Sequence, residues 1–108
     1  MVFSCHFYER GCPLIVITRY NNGFTVKGHA GYAPIGQDIV CAGISTLVQT
    51  LIESIETLTA DKIKYVSQPG LVEIKHGDLS ADTKLLIDSF FVGVGLIAET
   101  YPDNVRIV

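Results

Sequence analysis

The 108-residue sequence predicts an α+β fold, a mostly antiparallel sheet carrying two long helices in the order hairpin, helix, hairpin, helix, strand. Three observations predict it. Two turn signals, Asn21-Asn22-Gly23 and Pro69-Gly70, each separate short runs rich in β-branched and aromatic residues. Two long segments, opening at Asp38 and at Ser80, repeat apolar residues at helical spacing. A last apolar run, Val105-Arg106-Ile107-Val108, supplies a closing strand.

Leu14 to Tyr20 and Phe24 to His29 make the first hairpin, which sets His29 at a strand end. The connection Gly31 to Gln37 holds two glycines and a proline without apolar periodicity, and it reads as a loop. Asp38 is a suitable N-cap for a helix whose apolar positions are Val40, Ile44, Leu47, Val48, Leu51, Ile55 and Leu58. Ile39, Val40 and Cys41 are then its first three residues, where backbone N–H groups have no carbonyl one turn earlier to bind.

Lys62 to Val66 and Leu71 to Lys75 form the second hairpin around Ser67-Gln68-Pro69-Gly70. Ser80 and Asp82 open the second helix and Pro102 closes it. Leu85, Leu86, Phe90, Phe91, Val92, Val94, Leu96 and Ile97 surround that helix on nearly every side, which predicts burial against more than one surface, the second supplied by a dimer interface. Gly93 and Gly95 are expected to allow close helix packing. Residues 1–13 are either an extra strand or an arm.

The bulk numbers narrow the function classes. At this length, with 48% hydrophobic and 18% charged residues, residues 1–108 are expected to form a single domain. A net charge of −3 and a pI near 5.4 leave no cationic excess for a phosphate backbone, so nucleic acid is not an expected partner. No apolar run reaches the roughly 18–20 uninterrupted residues of a membrane span, and Glu9 and Arg10 interrupt the start; the expectation is a cytoplasmic protein with no membrane partner. The three cysteines, Cys5, Cys12 and Cys41, are expected as thiols. Cys5, His6, Cys12 and His29 lack the paired spacing of a zinc site, so neither metal nor cofactor is expected.

What remains is a thiol and an imidazole. A cysteine in the first turn of a helix feels the positive end of the helix dipole, which stabilises its thiolate, and a nearby histidine serves as base and then acid. Cys41 and His29 fit those roles. Asp38 either caps the helix or orients His29, and Ser45, one turn after Cys41, is a supporting residue. Candidate oxyanion donors are the Cys41 amide and the Gln37 side chain. Gly31, Tyr32, Ile35 and Gly36 suit a loop that orders over a bound peptide. The competing class is a non-catalytic homodimeric module that takes a peptide strand on a sheet edge.

Gly28-His29-Ala30-Gly31-Tyr32-Ala33, followed by Gly36-Gln37-Asp38-Ile39-Val40-Cys41-Ala42-Gly43-Ile44-Ser45, resembles the signature of the ribosomal-processing cysteine protease family. The resemblance extends more loosely from Leu14 to Val108. It implies a homodimeric endopeptidase that removes a short N-terminal extension from a large-subunit ribosomal protein, with phage capsid and scaffold proteins as further substrates. Carried over by position, Cys41 is the nucleophile and His29 the general base, and Gly28, Asp38 and Ser45 match surrounding motif positions. Residues 1–13 precede the point where family members typically begin.

Overall fold

The computed structural model of the chain describes residues 14–28, 39–68 and 70–108. Its elements are β1 (Ile15–Tyr20), β2 (Gly23–Lys27), α1 (Ile39–Leu58), β3 (Ile63–Gln68), β4 (Leu71–His76), α2 (Ala81–Thr100) and β5 (Val105–Ile107). The order and kinds of element are those the turn signals and periodicities predict. The five strands lie in the order β3-β4-β2-β1-β5, antiparallel throughout except for the parallel β1–β5 pair.

Alternation along the strands sends one set of side chains toward the helices. Ile15, Ile17, Phe24, Val26, Val72, Ile74 and Val105 are buried there against Val40, Cys41, Ile44, Val48, Leu51, Ile52 and Ile55 of α1 and Ile87, Phe90 and Val94 of α2. Each large apolar side chain so buried contributes about 1.5–3 kcal/mol. Phe24 stacks on Phe90 at 5.0 Å and meets Phe91 edge-on at 5.3 Å, which fixes α2 over the first hairpin. Arg19 adds an exposed tie, lying 4.3 Å over the Phe91 ring and binding Asp88 at 3.1 Å.

Four details differ from the sequence expectation. The first turn is Asn21-Asn22 alone, because Tyr20 pairs with Gly23, so the Asn-Gly pair does not supply the two central turn residues. Gly23 is needed for another reason: a Cβ there would run into the carbonyl oxygen of Ile74 on β4. Ser67 and Gln68 belong to β3, where they pair with Val72 and Leu71, and Gly70 before β4 holds φ 78°. Strand β2 ends at Lys27, so His29 is not the residue that ends it.

The helices differ in how fully they are covered. Leu58 ends α1 in solvent, and α2 leaves Leu85, Val92 and Leu96 exposed at 69%, 65% and 61%, so this chain alone does not bury α2 on nearly every side. Gly93 receives the Leu47 side chain, whereas among the described residues no atom lies within contact of a Cβ added at Gly95, so the close packing expected there is not seen among them. By length and composition α1 is apolar enough to cross a membrane. Here its apolar stripe is spent on the core, and Thr46, Gln49, Thr50, Glu53, Glu56 and Thr57 face outward.

Candidate active site

Three neighbouring contacts bring the first turn of α1 and the end of β2 to one end of the fold. Cβ atoms added at Gly43 and Gly93 would touch Ile97 and Leu47 respectively, so α1 and α2 run antiparallel and the start of α1 lies beside the end of α2. Past α2, the carbonyl of Asn104 accepts the N–H of Ile15, which places the α2–β5 turn next to the start of β1. Gly28 follows β2 at that same end, and its N–H donates to Gly70 O at 2.8 Å.

Gly28 holds φ 101°, and a Cβ on it would collide with the Leu14 carbonyl oxygen. Only glycine meets both demands at once. Its motif position therefore has a backbone explanation: a positive φ against the Leu14 carbonyl with the bond to Gly70 kept.

Cys41 is the third residue of α1, which begins at Ile39. Its side chain carries a thiol and is buried, 1% exposed, between Val40 and Ile44 on the core side of the first two turns. A sulfur in that place sits where the partial positive charge of a helix is concentrated. Ser45 is half-buried one turn further along. Thr46, by contrast, spends its hydroxyl on the Ala42 carbonyl at 2.9 Å.

Of the residues singled out from the sequence, Cys41, Ser45 and Gly28 are placed at one end of the fold. His29, Gly31, Tyr32, Ile35, Gly36, Gln37 and Asp38 lie outside the described residues, as does the segment 1–13. One residue of interest was missed. The Ser67 hydroxyl, assigned from sequence to a turn, is buried without a hydrogen-bond partner on the helix-facing side of β3. Its place in the alternation Ile63, Tyr65, Ser67 was the available signal.

Comparison with known proteins falls on this architecture. A family model described as "Cysteine protease Prp" matches residues 15–106. The ribosomal processing cysteine protease Prp of Staphylococcus aureus is 32% identical over 85 residues, covering 76% of this chain and 80% of that protein. Its Bacillus subtilis counterpart is 28% identical over 91 residues, covering 78% and 81%. Among solved structures, the S. aureus protease Prp with a covalently linked product peptide superposes with a TM-score of 0.80 at 26% identity, covering 87% of this chain and 95% of that one. The same protease with a substrate peptide gives 0.73 at 25% identity, covering 88% and 96%.

Proposed function

The chain belongs to the cysteine protease Prp family and is a cysteine-type endopeptidase, and from that premise we propose that Cys41 is its nucleophile and His29 its general base. The observation that carries the proposal is the position of Cys41 in the first turn of α1, at the end where Gly28 hands the chain on to residue 29. In this reading His29 takes the thiol proton, Sγ attacks the scissile carbonyl, and the imidazolium returns the proton to the leaving amine. Water then releases the acyl group with His29 again acting as base. The Cys41 amide and the Gln37 side chain are the proposed donors to the oxyanion.

Burial of Cys41 adds a condition. A peptide has to displace what covers the thiol, so reaction follows opening of the site. Gly31, Tyr32, Ile35 and Gly36 remain the residues proposed to respond to substrate, and Asp38 and Ser45 the supporting groups.

The proposed substrate is the N-terminal extension of a large-subunit ribosomal protein, which puts the enzyme in the cytoplasm where ribosomes assemble. The named activity of the relatives supports the ribosomal substrate. A phage structural protein with a similar cleavage sequence is the second reading, carried by the motif resemblance. A homodimer is proposed as well, with the exposed Leu85, Val92 and Leu96 of α2 as its apolar face. Sedimentation of wild type against Leu85→Lys checks the dimer.

The test of function is mass spectrometry of synthetic peptides spanning a ribosomal extension and a phage cleavage sequence, each incubated with wild type and with Cys41→Ala. The reading expects one cut in the ribosomal peptide, made by wild type alone. An intact peptide with wild type, or an equal cut with Cys41→Ala, overturns it.

A further inference from the structure

Both helices cover one face of the sheet, and the strand registers fix what stands on the other. Side chains alternate, so with Ile15, Phe24, Val72 and Val105 turned to the core, the residues next to them along each strand turn outward. Three rows result. Lys64, Lys75, Gly23 and Tyr20 stand side by side in the first, Val66, Glu73, Thr25 and Thr18 in the second, and Gln68, Leu71, Lys27, Val16 and Arg106 in the third.

Charge is divided unevenly between the two sides of the molecule. The outward face carries four of the chain's eight lysines and arginines, Lys27, Lys64, Lys75 and Arg106, but one of its eleven acidic residues, Glu73. All four cations are exposed, and among the described residues no carboxylate lies within ion-pair reach of them. A net charge of −3 for the whole chain, which predicts no nucleic-acid partner, therefore averages a cationic sheet face with an acidic remainder.

The first row shows what this face is suited to hold. Lys64 and Lys75 are directly opposed in the β3–β4 pair, and like charges so placed destabilise a sheet. An anion between them removes that cost. At the same corner Lys62, Ile63, Lys64, Lys75, His76 and Gly77 line a cleft of about 360 Å³ with no acidic side chain on its wall. Further along the row Tyr20 is 54% exposed, and Gly23 sets no side chain between it and Lys75. Two strand spacings put the Tyr20 strand about 10 Å from that of Lys75, a span that a phosphate and its neighbouring base can bridge.

We infer that the uncovered sheet face binds single-stranded RNA, with phosphates at the Lys64–Lys75 cleft and along Lys27 and Arg106, and a base stacked on Tyr20. An open sheet suits a single strand, whose unpaired bases lie flat on an aromatic ring while its backbone follows the cations. Thr18 and Thr25 add hydroxyls between the cationic rows. The face lies across the sheet from Cys41, so the inference stands apart from the peptidase reading.

The experiment uses the full chain and a labelled single-stranded RNA of about 12 nucleotides, followed by fluorescence anisotropy at about 50 mM salt. Wild type is expected to bind with a Kd of about 10 μM or tighter, weakening steeply as salt rises. Lys64→Glu should raise Kd roughly tenfold and lower the slope of log Kd against log salt by about 0.7 or more, while the melting temperature holds or rises because an opposed pair of like charges is removed. Tyr20→Ala should raise Kd roughly fivefold at unchanged slope. Lys84→Glu, the same charge change on α2, should leave Kd within about twofold. Peptide cleavage without RNA is expected to be unaffected in all three variants. The inference is overturned by no RNA binding to wild type, by equal weakening in Lys64→Glu and Lys84→Glu, or by polyphosphate competing as well as RNA while Tyr20→Ala has no effect. A wild type that binds RNA as expected but cleaves no peptide supports the inference and overturns the peptidase reading instead.

Discussion

Where α1 ends and α2 begins, Thr59, Asp61, Ser80 and Thr83 bind one another; where α1 begins and α2 ends, the chain presents a positive-φ glycine and a buried thiol. At the first end Asp61 accepts the N–H and the hydroxyl of Ser80 at 2.9 and 2.8 Å. Ser80 caps α2 by accepting the Thr83 N–H, and the Thr83 hydroxyl donates to Thr59. At the second end, Gly28 is held by the loop of a neighbouring hairpin and Cys41 by a helix start. On the proposed assignment of Cys41, the same antiparallel helix pair separates stability from chemistry, with the hydrogen-bonded end anchoring both helices and the other carrying the thiol.

Changes at the two ends should therefore fail differently. Cys41→Ala is expected to lower kcat/KM by on the order of 10⁴-fold or more while the melting temperature stays within a few degrees, checked by peptide cleavage and calorimetry. His29→Ala should slow acylation by roughly 10²–10⁴-fold with the fold intact, measured by single turnover. A variant of either residue that cleaves at the wild-type rate would erase the contrast.

Gly28→Ala sharpens the comparison from the backbone. The positive φ and the Leu14 carbonyl predict a loss of about 2 kcal/mol or more in urea unfolding, together with lost activity. Gly77→Ala, which meets nothing, is the control and should change stability by less than about 1 kcal/mol.

The saturated end gives smaller and purely structural effects. Ser80→Ala should cost about 1 kcal/mol and leave kcat/KM unchanged. The Thr83 hydroxyl, with the N–H and hydroxyl of Ser80, holds the Asp61 carboxyl below its ordinary 3.8. A carboxylate lowered in the folded state contributes stability above the unfolded value, and that contribution is lost as pH falls through the lowered folded one. Asp61→Asn should accordingly flatten the stability profile only in that acid window. A change near neutral pH in the slope of that profile would contradict the assignment.

Much of this division was legible in the sequence. Ser80 as a cap, the start of α1 at Ile39 and both hairpins followed from local chemistry, which needs only neighbours along the chain. What escaped depended on contacts from elsewhere. Gly23 answers to the Ile74 carbonyl, which lies beyond α1 and β3 in sequence, so its Asn-Gly pairing suggested a turn it does not centre. Ser67 looked like a turn residue because its hydroxyl suits a turn, whereas its pairing with Val72 places it inside the ladder. On α2 the sequence showed apolar residues on all sides, and only the packing distinguishes buried Phe90 from exposed Val92. For the site, the place of Cys41 was readable from the capping pattern, whereas its burial was not.

The claim that Cys41 does the chemistry is tested most directly by locating a covalent bond. A peptide matching the ribosomal extension and ending in a chloromethyl ketone is incubated with wild type and the adduct mapped by tandem mass spectrometry. The account predicts one adduct per chain, on Cys41, formed faster than on Cys5 or Cys12 and slowed in His29→Ala. An adduct confined to Cys5 or Cys12, with cleavage lost in step with it, would contradict the account.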